Sequence, residues 1–365
     1  MANETATKAR RRRRRRHMNP LLYLILVVAV SAILAGVAWL FAGDVLALNK
    51  EPHSAVITVE KDDTIHDVAG MLKENKLVEY QPLFQLFCQF TKAKVGSTEK
   101  IRPGTYELNT DMDYHALVNA MSARSGNRMT VSVTIPEGFT LDQIFALLEE
   151  KGVLEAEVLR KTAAEHDFKF SFLKGVLPLG DYHRLEGYLF PDTYEFYMGG
   201  GESDAVQALN KMILRFDQQL PDSLREKAAE MGYSVHDLVT IASLIEKETD
   251  GTDQAHIASV IYNRLERPTD ETVGLLQIDA TIVYALGRPI SQSDYDADTP
   301  YNTYTNKGLP PGPIASPGMV ALNSALNPEA TKDYYYVLGP DGKHHFFRSH
   351  AEQLNYINQI NTNRG

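Results

Sequence analysis

The longest apolar run in the chain is Leu21 to Ala42, LLYLILVVAVSAILAGVAWLFA, twenty-two residues without a charge. As a helix it would span about 33 Å, enough to cross a hydrocarbon core of about 30 Å. It is too long for the apolar region of a cleavable signal, and no Ala-x-Ala site follows, so it predicts a retained anchor. Further on, one pattern occurs twice. Ile57-Thr58-Val59 alternates as a strand and is followed by a turn and an amphipathic helix from Thr64 to Glu74. Seventy-six residues later Val133-Thr134-Ile135, the turn Pro136-Glu137-Gly138 and a helix from Thr140 to Glu150 repeat it. Each helix opens on a threonine able to cap it.

The duplicated βα unit resembles half of a LysM-like glycan-binding module, and a purely structural duplication accounts for it equally well. Between the repeats, Tyr80 to Phe90 and Asp113 to Arg124 read as helices, and residues 101–108 as a turn into a strand. After them come helical patterns at Asp204 to Gln219, Asp222 to Met231, Gln254 to Arg264 and Ala280 to Leu286. Residues 287–318 hold six prolines and four glycines, a loop whose length marks it as functional or disordered. Its tyrosines, Tyr295, Tyr301 and Tyr304, argue for order. Tyr334 to Val337, a Gly-Pro-Asp-Gly turn and His345 to Phe347 predict a hairpin, and a last helix starts near Ser349. The expected class is α+β. Its divisions are a basic tail (1–20), a transmembrane helix (21–43), a linker (44–54), a membrane-proximal βα module (55–128), a second, LysM-like repeat (129–180) and a mostly helical catalytic domain (181–365).

One predicted helix carries candidate chemistry. In Ser234 to Asp250, SVHDLVTIASLIEKETD, Ser234 can cap the start and Asp237 favours the positive end, while apolar residues at 238, 241, 242 and 245 form one face. Glu246 falls on one margin of that face and Glu248 on the other, about 200° apart, so a single cleft can use only one. A carboxyl at the edge of a buried stripe loses water, which raises its pKa and suits it to act as a general acid.

Charge and composition narrow the setting. Arg10 to Arg16 are seven consecutive arginines beside the apolar run, which puts that end in the cytoplasm and residues 43–365 outside the cell membrane. Residues 1–16 carry +7 of a net −10, leaving −17 on the remainder, which disfavours nucleic acid as a partner. Cys88 is the single cysteine, so no internal disulfide can form. His344, His345 and His350 lack an HExxH or a carboxylate cluster and read as structural, so no metal or cofactor is expected. GxSxG, GxGxxG and GxxxxGK are all absent. What remains is carboxylate chemistry in a tyrosine-lined groove, where sugar rings can stack and bond.

Six blocks carry a family resemblance: LEGYLFPDTY (185–194), IASLIEKET (241–249), LLQIDATIVYALG (275–287), PYNTY (300–304), GLPPGPIASPG (308–318) and HHFFRSHAEQ (344–353). In this order they resemble the MltG/YceG family of endolytic murein transglycosylases. Ile278 and Ala280 depart from that family's usual residues around the aspartate, whereas Gln277 and Asp279 are kept. The resemblance implies a bacterial, membrane-anchored enzyme that cleaves the bond between N-acetylmuramic acid and N-acetylglucosamine within peptidoglycan strands, leaving 1,6-anhydro ends, with peptidoglycan synthases as candidate partners. It places the catalytic acid at Glu246 and leaves Glu248 a supporting role. Glu186, Tyr188, Gln277, Asp279, Tyr301, Asn302 and Tyr304 are expected to contact the glycan or to support Glu246, with core or hairpin packing the alternative for the tyrosines and bonding to its own loop's backbone the alternative for Asn302. Two alternatives stay open at this level: a lysozyme-like muramidase using the same glutamate, and a non-catalytic wall-binding scaffold.

Overall fold

The computed structural model describes residues 19–362 apart from 49, 97, 123–125, 175, 177, 250 and 252. The Arg10 to Arg16 block lies outside the described residues. Helix α1, Pro20–Val45, starts on Asn19, whose side chain accepts from the Leu21 N–H. Its apolar side chains stand exposed along its length, and it is long and apolar enough to cross a membrane. Near its end Asp44 is buried. It accepts from the backbone N–H groups of Glu79 and Tyr80 and from the Tyr114 hydroxyl, and pairs with Lys50 at 2.8 Å.

The first globular unit runs β1 (Ser54–Val59), α2 (Ile65–Glu74), α3 (Gln81–Thr91), β2 (Gly104–Asn109), with α4 (Tyr114–Ala120) behind it. β1 and β2 pair antiparallel, Ser54 opposite Asn109. The second runs β3 (Thr130–Thr134), α5 (Leu141–Glu150), α6 (Ala156–Glu165), β4 (Thr193–Tyr197), and β3 pairs antiparallel with β4, Thr130 opposite Tyr197. Both α2 and α5 open on a capping box, Thr64 with Asp67 and Thr140 with Gln143. The duplication is therefore a full strand–helix–helix–strand unit rather than the strand–helix half visible in the sequence.

β4 lies past residue 180, so the second unit closes inside the segment assigned to the catalytic domain. Packing explains this: one apolar core runs from Val133 through Phe145, Tyr188 and Ile241 to Leu326, while a separate one spans Ile57 to Met121. The helical part sharing the larger core comprises α7 (Glu202–Gln219), α8 (Asp222–Glu230), α9 (Val235–Glu248), α10 (Gln254–Glu266), α11 (Asp279–Leu286) and α12 (Met319–Leu326). The hairpin β5 (Tyr335–Leu338) and β6 (His344–Phe347), and α13 (His350–Thr362), finish the chain.

The two cores are joined by backbone, by a buried ion pair and by an exposed one between Lys61 and Glu202. Met129 donates to Thr105 and Thr105 to Met198, which stitches β2 to the start of β3 and the end of β4. There Arg128 makes two hydrogen bonds to Asp204, 2.7 and 2.9 Å, with its guanidinium 4.5 Å from the centre of the Tyr197 ring. Removing one partner of such a buried pair costs about 3–5 kcal/mol. Asp204→Ala is expected to lower the thermal midpoint of the chain in scanning calorimetry, whereas Lys61→Ala, which removes the exposed pair with Glu202, leaves it nearly unchanged.

Candidate functional site

α9 is built to hold its end rigid. Ser234 and Asp237 form a capping box, and the eight residues Leu238 to Ile245 are all buried, so the helix is enclosed on every side until its last turn. Glu246 and Glu248 emerge there in opposite directions, as their spacing requires. Glu246 turns toward the Pro136-Glu137-Gly138 turn and the start of α12. Its Oε2 accepts from the Gly318 N–H at 3.0 Å, and the Glu137 carboxylate lies against Gly318 where a Cβ would have to go. Burial raises the pKa of Glu246, the Gly318 bond opposes the rise, and the Glu137 charge adds to it.

Glu248 turns the other way and accepts from the Tyr336 hydroxyl at 2.7 Å. Its pKa is also raised, chiefly by burial, with Tyr336 opposing and the nearby Asp279 charge adding to the rise. Asp279 itself is held by two tyrosines, Tyr304 at 2.6 Å and Tyr295 at 3.2 Å. Gln277 accepts from Arg264 at 3.0 Å through its side chain and donates to Thr303 through its N–H, with its backbone in the left-handed region, φ 55°. A non-glycine residue held in that region is strained, and such strain concentrates at functional sites. Three of the sequence candidates, Gln277, Asp279 and Tyr304, thus gather on the Glu248 side of α9 and not on the Glu246 side.

A cleft of about 980 Å³ lies alongside, walled by Glu186, Tyr284 and Tyr301, by Asp142, Asp181 and His183, by Ala280 and Arg288, and by Lys247, the residue between the two glutamates. Glu186 accepts from the Leu141 N–H at 3.1 Å and the Tyr284 hydroxyl at 3.1 Å. It is almost wholly buried, which pushes its pKa up to about 8. Tyr301 packs against Tyr284, ring centres 5.0 Å apart, and burial pushes its hydroxyl up to about 12.

The other two candidates support the site from beneath. Tyr188 is fully buried and its hydroxyl meets His236 Nδ1 at 3.0 Å, while His236 Nε2 donates to the Pro311 carbonyl at 2.9 Å. Asn302, equally buried, donates to the carbonyls of Tyr295 and Ala297 and accepts from the Tyr304 N–H, so its side chain is spent on its own loop. Neither can reach a ligand. Sequence reasoning passed over Tyr336, Glu137, Tyr284 and Arg264. Only a contact map could have exposed the first, since Tyr336 and Glu248 are 88 residues apart. Among the described residues no group of three His, Cys, Asp or Glu side chains is arranged to hold a metal ion.

A rigid helix end with desolvated carboxyls, bordered by tyrosines on a mixed, mainly helical scaffold, defines a carboxylate-centred cleft protein. The chain belongs to the YceG-like family, whose model matches residues 57–359. It is 31% identical over 320 residues to the endolytic murein transglycosylase of Bacillus subtilis, covering 84% of this chain and 85% of that one. It is also 31% identical over 312 residues to the endolytic murein transglycosylase of Streptococcus pneumoniae, covering 77% of this chain but only 53% of that longer protein. A crystal structure of a YceG-like protein from Listeria monocytogenes aligns with a TM-score of 0.54 at 30% identity, over 84% of this chain and all of that one.

The raised pKa of Glu186 has a consequence for stability. In the unfolded chain the group ionises near 4.5, and in the fold near 8. Between these values the native state binds more protons, so stability falls as pH rises from about 4.5 to about 8. Glu186→Gln is expected to flatten that fall in urea titrations repeated across this range.

Proposed function

We propose that the protein is a membrane-anchored endolytic murein transglycosylase and that Glu248 is its acid. The observation that carries the choice of residue is the gathering of Tyr336, Asp279 and Tyr304 around Glu248. This moves the acid from Glu246, the residue the family resemblance suggested, to the opposite margin of α9. Each glutamate accepts one hydrogen bond that favours its charged form, from the Gly318 N–H for Glu246 and from the Tyr336 hydroxyl for Glu248, so the groups assembled around each one, and not the bond itself, set them apart.

In the proposed reaction Glu248 protonates the glycosidic oxygen between N-acetylmuramic acid and N-acetylglucosamine. Positive charge at C1 is shared with the sugar's 2-acetamido group. The resulting carboxylate then takes the proton of the muramyl 6-hydroxyl, whose oxygen closes onto C1 to give the 1,6-anhydro end and restore the acid. No second carboxylate and no water are consumed. An oriented intramolecular hydroxyl can have an effective molarity of about 10⁵ M or more, which lets it outrun water. The cleft beside Lys247, with Glu186 and Tyr301 in its wall, would receive part of the strand next to the end of α9. α1 would span the membrane with the arginine block inside and the cleft outside, within reach of newly made strands and of the synthases that extend them. The two strand–helix–helix–strand units, in the LysM-like reading, would help hold such a strand.

The test is mass spectrometry of uncrosslinked glycan strands after incubation with the protein. Internal fragments whose muramyl ends are one water lighter than the reducing form are expected from the wild type and from Glu246→Gln at reduced yield, and none from Glu248→Gln. Loss with Glu246→Gln and retention with Glu248→Gln would return the acid to Glu246; reducing ends would make the enzyme a muramidase. Because the pKa of Glu248 is raised, its acid form persists to higher pH than that of an ordinary glutamate. kcat/KM is therefore expected to decline on the alkaline side as Glu248 loses its proton.

A further inference from the structure

α3 has a face that the protein itself does not cover. Its inner side, Phe84 and Cys88, is buried in the first core, and Phe84 and Phe87 pack edge-on against Tyr114. The opposite side presents Leu86 at 46% and Phe90 at 78% exposure, one helical turn apart. No residue from Gln81 to Thr91 is charged. A phenylalanine so exposed on an uncharged helix is out of place in water.

The position of α3 says what covers it. Tyr80, which precedes the helix, packs its ring edge-on against Phe41 at 5.2 Å, and Phe41 belongs to the last turn of the apolar run in α1. The Asp44 carboxylate takes the N–H groups of Glu79 and Tyr80, which fixes the start of α3 to the exit of α1. α3 thus begins at the depth where α1 leaves the hydrocarbon, and at about 1.5 Å per residue none of it lies more than about 17 Å from that point. Leu46 and Leu48, just after α1, are exposed as well. At its far end the chain carries exposed Lys92, Lys94 and Lys100, the last donating to the Thr91 carbonyl. Apolar side chains flanked by lysines, on a helix tied to a membrane exit, match an interfacial helix on an anionic bilayer.

We propose that the Leu86 and Phe90 face of α3 lies in the outer surface of the bilayer beside α1, with the three lysines at the headgroups. The first unit then rests on the membrane at two points, which fixes its tilt as well as its height. This rests on the reading of α1 as a membrane span, and the experiment separates the two.

The full chain is reconstituted in vesicles of phosphatidylcholine with phosphatidylglycerol, some carrying bromine on the upper acyl carbons and others deep in the chains. Trp39 is the single tryptophan, and in the wild type its quenching by brominated lipid reports the span. A Trp39→Phe, Phe90→Trp chain then reports the face, with a Trp39→Phe, Leu338→Trp chain as a distant exposed reference. The expected result is loss of most Phe90→Trp emission with the shallow bromine, a blue-shifted spectrum and little effect of aqueous iodide, while Leu338→Trp responds to iodide alone. Iodide quenching of Phe90→Trp with no lipid quenching, in vesicles where Trp39 is quenched by bromine, would overturn the proposal and leave the span intact. Failure of Trp39 to be quenched would overturn both.

Discussion

Enclosure of α9 is the constraint on which the site depends. Eight consecutive residues, Leu238 to Ile245, are buried, so the helix can neither slide nor turn without opening the larger core. Its end is therefore a fixed platform, and two glutamates placed two residues apart on it must look in opposite directions. The same burial that fixes the helix strips water from both carboxyls and raises both pKa values. What separates them is the company on each side: a backbone N–H and a second carboxylate for Glu246, a tyrosine hydroxyl and a tyrosine-held aspartate for Glu248.

Much of this fold is written locally. Thr64, Thr140 and Ser234 announce their helices by capping boxes, and the hairpin of β5 and β6 follows from its aromatics and its Gly-Pro-Asp-Gly turn. The repeated strand and first helix are equally plain. The parts that escaped are those whose signal is weak or mixed. β4 alternates as a strand should, Tyr194 and Phe196 in, Thr193 and Glu195 out, but only for five residues within an aromatic stretch. α6 has little beyond Leu159 and Ala163 to mark an apolar face, and α12 is apolar nearly all round and follows a proline-rich loop. Missing α6 and β4 hid the second half of the second unit, and with it the fact that this unit shares the larger core.

The candidate site was legible as a list of residues and not as an arrangement. Gln277, Asp279 and Tyr304 do meet, because the loop at 299–306 is stapled to the start of α11 through Thr303, whose carbonyl accepts from Gln277 N–H and whose hydroxyl accepts from Ile278 N–H. Tyr188 and Asn302 look like ligand contacts in one dimension, a tyrosine and an asparagine in aromatic, polar segments. In three dimensions they are buried and fully engaged by His236 and by the loop backbone. Which glutamate faces the group is decided by the hairpin that brings Tyr336 to Glu248, a contact made across 88 residues that no local periodicity encodes.

Glu246 and Glu137 hold a different set of elements together. The turn at 136–138 belongs to the second strand–helix–helix–strand unit, and its Gly138 N–H donates to the Ser316 carbonyl while the Ser316 N–H donates to the Phe139 carbonyl. Ser243 on α9 takes the Ile314 N–H, Glu246 takes the Gly318 N–H, and the Lys247 ammonium reaches the Gly138 carbonyl. From the same unit, the N–H of Leu141 at the start of α5 supports Glu186 in the wall of the cleft. The second repeat is therefore a wall of the site rather than a module beside it. Any tilt of that unit would move Glu186 and the proline-rich segment against α9 together. The first unit is pinned to α1 at Asp44 and to α7 by the Arg128–Asp204 pair, so a buried polar contact ties it at each end, to the apolar helix and to the helical part that carries the cleft.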